Sequence, residues 1–177
     1  MKSKVIALSA ISSAIIALLL TLGAYIEFID LITLVFASIL VILPLYYRSY
    51  LGSVLCFLSG GLLSFLFSGF NILSIIFPAY FGFMGIYPIV KFRLMQINFN
   101  KIATIVLGAL WCVACFYGIY YYYIFVANGI FDGLPEILLK YIVYLVGIVG
   151  VVFYFVYDRF ILVAKIIFDT YLSKIIR

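Results

Sequence analysis

The residues best suited to bind a small molecule lie near the end of the fifth long apolar stretch. Five tyrosines occur there within seven positions, and an asparagine follows. Tyr117, Tyr121 and Asn128 recur at steps of four and seven, which places them near one face of a helix, with Trp111 deeper along it. Ligand pockets are mostly aromatic with a few convergent polar groups, so this pattern predicts one side of a binding pocket. The alternative is an aromatic belt at the membrane interface.

Further polar residues fall on the same predicted side of the chain, and Lys140 is the basic one among them. We expect Lys140 to face an anionic group of a ligand; the alternative is an ion pair with Glu136, one helical turn earlier. The predicted substrate-binding set is Glu27, Asp30, Asn71, Trp111, Tyr117, Tyr121, Asn128 and Lys140.

Signatures of catalysis are missing from the sequence. The chain has no histidine, no nucleotide-binding P-loop pattern and three cysteines, of which Cys112 and Cys115 form a CxxC. A zinc site needs a second pair or histidines, so this CxxC is interpreted as small residues at a helix contact. We expect no catalytic residues, no metal and no cofactor, and the predicted class is not an enzyme.

Composition places these residues in a membrane protein. The 177 residues are 69% hydrophobic and 10% charged, with a mean hydropathy of +1.38. Such a chain exceeds what a soluble core can bury. Backbone groups in lipid must be satisfied within their own element, which predicts helices. The expected architecture is an all-α polytopic membrane protein, one domain over 1–177, with six spans at about 5–26, 31–47, 51–68, 72–90, 102–127 and 137–157.

Charge predicts the orientation of these spans. The net charge of +5 is scattered over span ends instead of forming a patch, so it indicates the inside-positive bias of membrane proteins and not nucleic-acid binding. Both termini are expected in the cytoplasm. The inner basic set is Lys2, Lys4, Arg48, Lys91, Arg93, Lys101, Arg159, Lys165, Lys174 and Arg177. Residues 158–177 show a polar helical face and predict an amphipathic extension at the inner surface, either an anchor or a partner contact.

Small residues form two stripes at helical spacing. The first span carries Ala7, Ala10, Ala14 and Ala17, and the third carries small residues at four-residue steps from Gly52 to Ser68. Small side chains let helix backbones approach closely in lipid. The first stripe is the predicted docking surface for a partner. For both stripes the alternative is packing within this one bundle.

These features together resemble a family. Six helices with both ends inside, a mass near 20 kDa, no ATPase motif and Ala10-x-x-x-Ala14 resemble the substrate-binding S components of bacterial energy-coupling factor (ECF) transporters. Residues 81–82 and 87–91 also resemble uncharacterised clostridial S-component-like proteins. The resemblance implies capture of a vitamin or other micronutrient from outside, at a site in the outer half covered by the loop after the first span. It also implies a bacterial plasma-membrane location and docking through Ala10 and Ala14 on a transmembrane coupling subunit driven by two ATPases.

The runner-up interpretation is a scaffold without a small ligand. The cell-shape protein MreD is similar in size and span number. Its usual acidic residue in the third span has no counterpart in the uncharged segment Gly60-Gly61-Leu62-Leu63-Ser64, which counts against this alternative.

Overall fold

The chain is predominantly helical in the part that the structure, a computed structural model, describes: residues 2–47, 49–71, 74–126 and 136–175. The all-α prediction is confirmed for these residues. The elements in chain order are α1 (Lys2–Tyr25), a 3-10 turn (Glu27–Ile29), α2 (Asp30–Leu40), α3 (Leu43–Tyr46), α4 (Tyr50–Phe67), α5 (Ile76–Ala79), a π-helical turn (Tyr80–Met84), α6 (Tyr87–Gln96), α7 (Lys101–Val126) and α8 (Glu136–Ile175).

Four of these helices are long and apolar enough to cross a membrane. They are Ser3–Tyr25, Tyr50–Phe67, Lys101–Phe125 and Tyr141–Thr170, within α1, α4, α7 and α8. Many of their apolar side chains are exposed on the outside of the bundle; Phe125, for example, is 77% exposed. Apolar surface on this scale requires a nonpolar solvent, which is what a bilayer supplies. The chain is therefore a helical, membrane-embedded protein.

The other two predicted apolar segments are shorter or interrupted helices. In the segment 31–47, α2 ends at Leu40 and α3 follows, with Pro44 in its first turn where a missing N–H costs little. In the segment 72–90, a π-helical turn separates α5 from α6, and the Gly85 N–H bonds to the Tyr80 carbonyl at 2.9 Å. Pro88, in the first turn of α6, has no N–H to continue a regular helix through this point. Ile72 and Leu73 lie outside the described residues.

Helices α1 and α4 pack closely and run parallel. Ile16 lies against Gly60, and farther along both helices the Thr21 and Ser64 hydroxyls are 3.3 Å apart. A Cβ at Gly60 would stand only 2.6 Å from Ile16 Cγ2, so the contact requires glycine. Gly52, Cys56, Gly60 and Ser64 are all buried. The small residues of the third predicted span thus pack within the bundle.

Helices α7 and α8 form an antiparallel pair. Gly108 of α7 faces Tyr154, and farther along α7 the Tyr117 hydroxyl donates to the Val143 carbonyl at 3.0 Å. At 40 residues, α8 is about 60 Å long, roughly twice the hydrocarbon thickness of a bilayer. It continues without a break past Asp158 into the predicted C-terminal extension, where Ile161 is fully buried against the bundle. The extension therefore packs on its own protein at this point.

A buried polar cluster joins α6 to α8. The Lys91 ammonium pairs with the Asp158 carboxylate and also donates to the Asp158 carbonyl at 3.3 Å. The Tyr87 hydroxyl bonds the same carboxylate and lies 3.1 Å from the Tyr154 hydroxyl. The Lys91 and Asp158 side chains are only 6% and 15% exposed. This cluster fixes α6, the last helix of the interrupted segment, to α8, the longest helix.

We predict that Gly60→Ala destabilises the protein by about 1–3 kcal/mol, because the added methyl group overpacks against Ile16. Gly118→Ala is the matched control, since a Cβ there meets nothing within 4 Å. Denaturant unfolding in detergent micelles measures both variants. Equal stability of the two would contradict the close α1–α4 contact.

We also predict strong coupling between Lys91 and Asp158. Asp158→Leu alone should cost about 3–5 kcal/mol, because it leaves a buried ammonium without its partner. The double change Lys91→Met with Asp158→Leu should recover most of that loss. Unfolding free energies of the four proteins form a double-mutant cycle. Additive single effects would show that the pair is not coupled.

Candidate functional site

Two adjoining cavities lie at the end of the bundle where α1 ends and α2 begins. One, the polar cavity, has a volume of about 370 Å³, and its polar lining residues are Asp30, Asn71, Ser74 and Tyr123. The other, the apolar cavity, has a volume of about 340 Å³. Asp30 and Ile75 line both. Volumes of this size are at the lower end for small-molecule sites.

A tight turn places Asp30 between the cavities. The chain leaves α1 at Tyr25, makes one 3-10 turn and begins α2 at Asp30. The Thr33 hydroxyl donates to the Asp30 carbonyl at 2.9 Å. A carboxylate in the first turn of a helix is favoured by the partial positive charge of the helix N-terminus. Local sequence therefore both positions this acid and stabilises its charge.

Aromatic side chains from three different elements line the apolar cavity. Phe83 comes from the π-helical turn, Phe116 from α7 and Phe153 from α8. The Phe116 and Phe153 ring centroids are 5.4 Å apart, and Phe83 meets the edge of Trp111 at 6.0 Å. The π-helical turn matters here because it re-aims successive side chains relative to a regular α-helix. The result is a nonpolar chamber beside the Asp30 carboxylate.

The structure brings together only some of the predicted substrate-binding residues. Asp30 and Asn71 line the polar cavity. Trp111 packs edge-to-face with Phe83, and Tyr117 contacts α8 through its hydrogen bond to the Val143 carbonyl. Tyr121 is 52% exposed on the surface of α7. Asn128 lies outside the described residues, as do the side chains of Glu27 and Lys140.

A different face of α7 points into the cavities. Cys115, Phe116 and Ile119 line the apolar cavity, and Tyr123 lines the polar one. Their spacing of one, three and four residues is a helical face, so helical periodicity alone would have grouped these four residues. The Tyr117 face turns instead to the neighbouring helix. Phe83, Ser74 and Phe153 are further cavity residues that the sequence did not single out.

The CxxC cysteines contact two different elements. The Cys112 sulfur lies 3.6 Å from the Gly150 carbonyl of α8, and the Cys115 sulfur lies 3.3 Å from the Gly82 carbonyl of the π-helical turn. Both are free thiols. These contacts fit a packing role.

The alanine stripe of α1 is divided between the surface and the core. Ala7, Ala10 and Ala14 are exposed, whereas Ala17 is 2% exposed and packs inside. A groove of about 350 Å³ runs beside Ala10 between α1 and α4. Its other small lining residues are Ser9, Ser13, Ser49, Gly52, Cys56 and Ser59. The exposed alanines and this groove, here called the α1 face, offer a smooth surface for a partner helix.

A scan against protein-family models, a search of curated proteins and a search of solved structures each found no match. Functional assignment therefore depends on the geometry of these residues.

Proposed function

We propose that this chain is the substrate-capturing subunit of an ATP-driven micronutrient uptake transporter in a bacterial cell membrane. It binds its ligand from outside and docks on a transmembrane coupling subunit that is driven by partner ATPases. The chain itself performs no catalysis and holds no cofactor. The single observation that carries the proposal is the pair of adjoining cavities at Asp30, which combine hydrogen-bonding groups with an aromatic chamber.

The helix directions support access to these cavities from outside. The parallel arrangement of α1 and α4 is what two crossings in the same direction require, with α2 and α3 returning between them. That alternation and the basic residues at alternate span ends support a proposed arrangement of six spans with both termini inside. In this orientation Asp30 and Asn71 lie at the outer end.

The α1 face supports docking. Close helix association in lipid depends on van der Waals packing of small residues, because apolar burial gives little advantage over lipid contact. Ala10 and Ala14 are one turn apart and both are exposed, and Ala10 also lines the groove beside α4. They match the residues that the resemblance to ECF S components assigns to the coupling subunit.

Capture and docking then form one sequence of steps. The ligand enters the cavities from outside and is held by Asp30, the amide of Asn71 and the aromatic rings. The loaded protein docks through the α1 face. Conformational change in the coupling subunit, driven by ATP hydrolysis elsewhere, moves the loaded protein and opens its site to the inside.

A scaffold similar to MreD remains the alternative, and the α1 face is the observation that favours it. An exposed stripe of small residues serves a scaffold as well as it serves a transporter subunit. The two functions differ in whether the protein binds a small molecule. A scaffold should co-purify with envelope-synthesis proteins and carry no small molecule.

We predict that Ala10→Leu combined with Ala14→Leu abolishes co-purification with the coupling subunit, because the larger side chains prevent close helix approach. Ala114→Leu is the matched control, since Ala114 is an exposed alanine on α7, away from the α1 face. Affinity purification from the native membrane followed by mass spectrometry measures the partners. Normal complex formation by the double variant would reject the docking surface.

We predict that the same purification yields a bound small molecule, and that Phe116→Ala lowers its occupancy. Loss of one ring contact should weaken binding by roughly tenfold, equivalent to about 1.4 kcal/mol. Tyr121→Ala is the control, because it removes an aromatic ring that faces away from the cavities. The amount of ligand per protein, determined by mass spectrometry, distinguishes the variants. Absence of any small molecule, together with captured envelope-synthesis proteins, would favour the scaffold.

A further inference from the structure

A separate cavity lies between α6, α7 and α8, at the other end of the bundle from Asp30. Lys101 and Thr104, at the start of α7, line it, whereas Tyr123, near the end of the same helix, lines the polar cavity. Its volume is about 620 Å³, larger than that of either cavity at Asp30. We propose that this α6–α8 cavity binds an anionic phospholipid, with the lipid phosphate at Lys101. Such a lipid site goes beyond ligand capture and does not depend on it.

The charges around the cavity favour an anion. The charged residues among the described ones that line it are Lys91, Lys101 and Asp158. Lys91 and Asp158 form the buried ion pair, so their charges largely offset each other. Lys101 is exposed, and no carboxylate among the described residues pairs with it. Two positive charges and one negative charge thus leave the lining net positive, with the excess charge at Lys101.

A tight turn between α6 and α7 builds the polar end of the cavity. Asn98 has a φ of 52°, a conformation that asparagine adopts more readily than most residues, and Asn100 directly precedes α7. The side-chain oxygen of Asn100 accepts a hydrogen bond from the Ile102 N–H at 3.0 Å, while the nitrogen of the same amide carries two donors. Phosphate oxygens accept hydrogen bonds, and those from an ammonium group are the stronger kind. Lys101 and the two amides therefore suit a phosphate group.

The other side of the cavity is apolar and opens to the outside of the bundle. Met95, Phe99 and Ile105 line it, and all three side chains are exposed. Leu162 of α8 adds a further apolar group. A small soluble anion would leave this surface uncovered, whereas the acyl chain of a phospholipid covers it and continues into the surrounding bilayer. Basic pockets between transmembrane helices are known to hold lipid head groups in this way.

The position of the cavity along α7 fits the boundary between lipid head groups and acyl chains. The apolar helix that is long enough to cross a membrane begins at Lys101, and Ile105 lies one turn farther along it. A lysine at the end of such a helix extends its ammonium group toward the head groups. In the proposed orientation this end faces the cytoplasm, where the leaflet carries anionic lipids.

Native mass spectrometry of the purified protein in detergent micelles measures lipid that stays bound. The protein is titrated separately with dioleoyl phosphatidylglycerol and with dioleoyl phosphatidylcholine, which share acyl chains and differ in net charge. We expect saturable retention of phosphatidylglycerol, with an affinity roughly fivefold higher than for phosphatidylcholine. This is the effect expected of one lysine near the membrane surface.

Two pairs of variants locate the bound lipid. Lys101→Gln should abolish the preference for phosphatidylglycerol, whereas Lys4→Gln removes an exposed lysine of α1 outside the cavity and should preserve it. Ile105→Trp places a larger side chain at the cavity wall and should lower the retention of both lipids. Ile102→Trp adds the same ring to an exposed position of α7 that does not line the cavity, and it should leave retention unchanged.

Other outcomes overturn the lipid site. Equal affinity for the two lipids would reject an anionic site, and this comparison needs only the unmodified protein. Unchanged retention in Ile105→Trp would show that surface charge, and not the cavity, holds the lipid. Displacement of bound phosphatidylglycerol by soluble glycerol 3-phosphate would show a site for a soluble anion instead. None of these results bears on the ligand at the Asp30 cavities, so the capture function is tested separately.

Discussion

The buried ion pair between Lys91 and Asp158 is the interaction on which the arrangement of the second half of the chain depends. It joins the last part of an interrupted segment, α6, to the longest helix, α8. Two tyrosine hydroxyls complete the cluster, so the carboxylate is shared between an ammonium and a phenol. Burying two charges is costly, and the pair is stabilising only because its geometry and extra hydrogen bonds offset desolvation. The Lys91–Asp158 pair specifies one register of α6 against α8.

That register determines where the cavities form. With α6 held to α8, the π-helical turn before it is directed toward α7, and Phe83 meets Trp111, Tyr154 and Tyr157. The Tyr157 hydroxyl donates to the Met84 carbonyl at 2.6 Å, which gives the distorted backbone a partner within the bundle. In lipid an irregular helix survives only where protein satisfies its backbone groups. Both the π-helical turn and the apolar cavity beside it therefore depend on the same packing of α6 against α8.

Helix α1 connects the two parts of the proposed mechanism. Its first half carries the exposed alanines and borders the groove beside α4, and its last turns contribute Gly23 and Ala24 to the polar cavity. The middle of the helix is locked on α4 through Ile16 and Gly60. A single helix with the proposed docking surface at one end and the candidate ligand site at the other is suited to report occupancy of that site to a partner.

The sequence by itself determined the helical class, the apolar lengths and the small residues at close helix contacts, because backbone satisfaction in lipid and steric access are local properties. It also singled out Asp30 and Asn71, which line the polar cavity, since polar residues at the ends of apolar segments stand out. Tertiary structure alone decided that Phe116 faces the cavities while Tyr117 faces α8, and that Ala14 is exposed while Ala17 is buried. The physical reason is that lipid and protein interior are both apolar. A membrane helix therefore shows no polar stripe to mark which of its faces meets a neighbour, and pairings such as Lys91 with Asp158 emerge only when the helices pack.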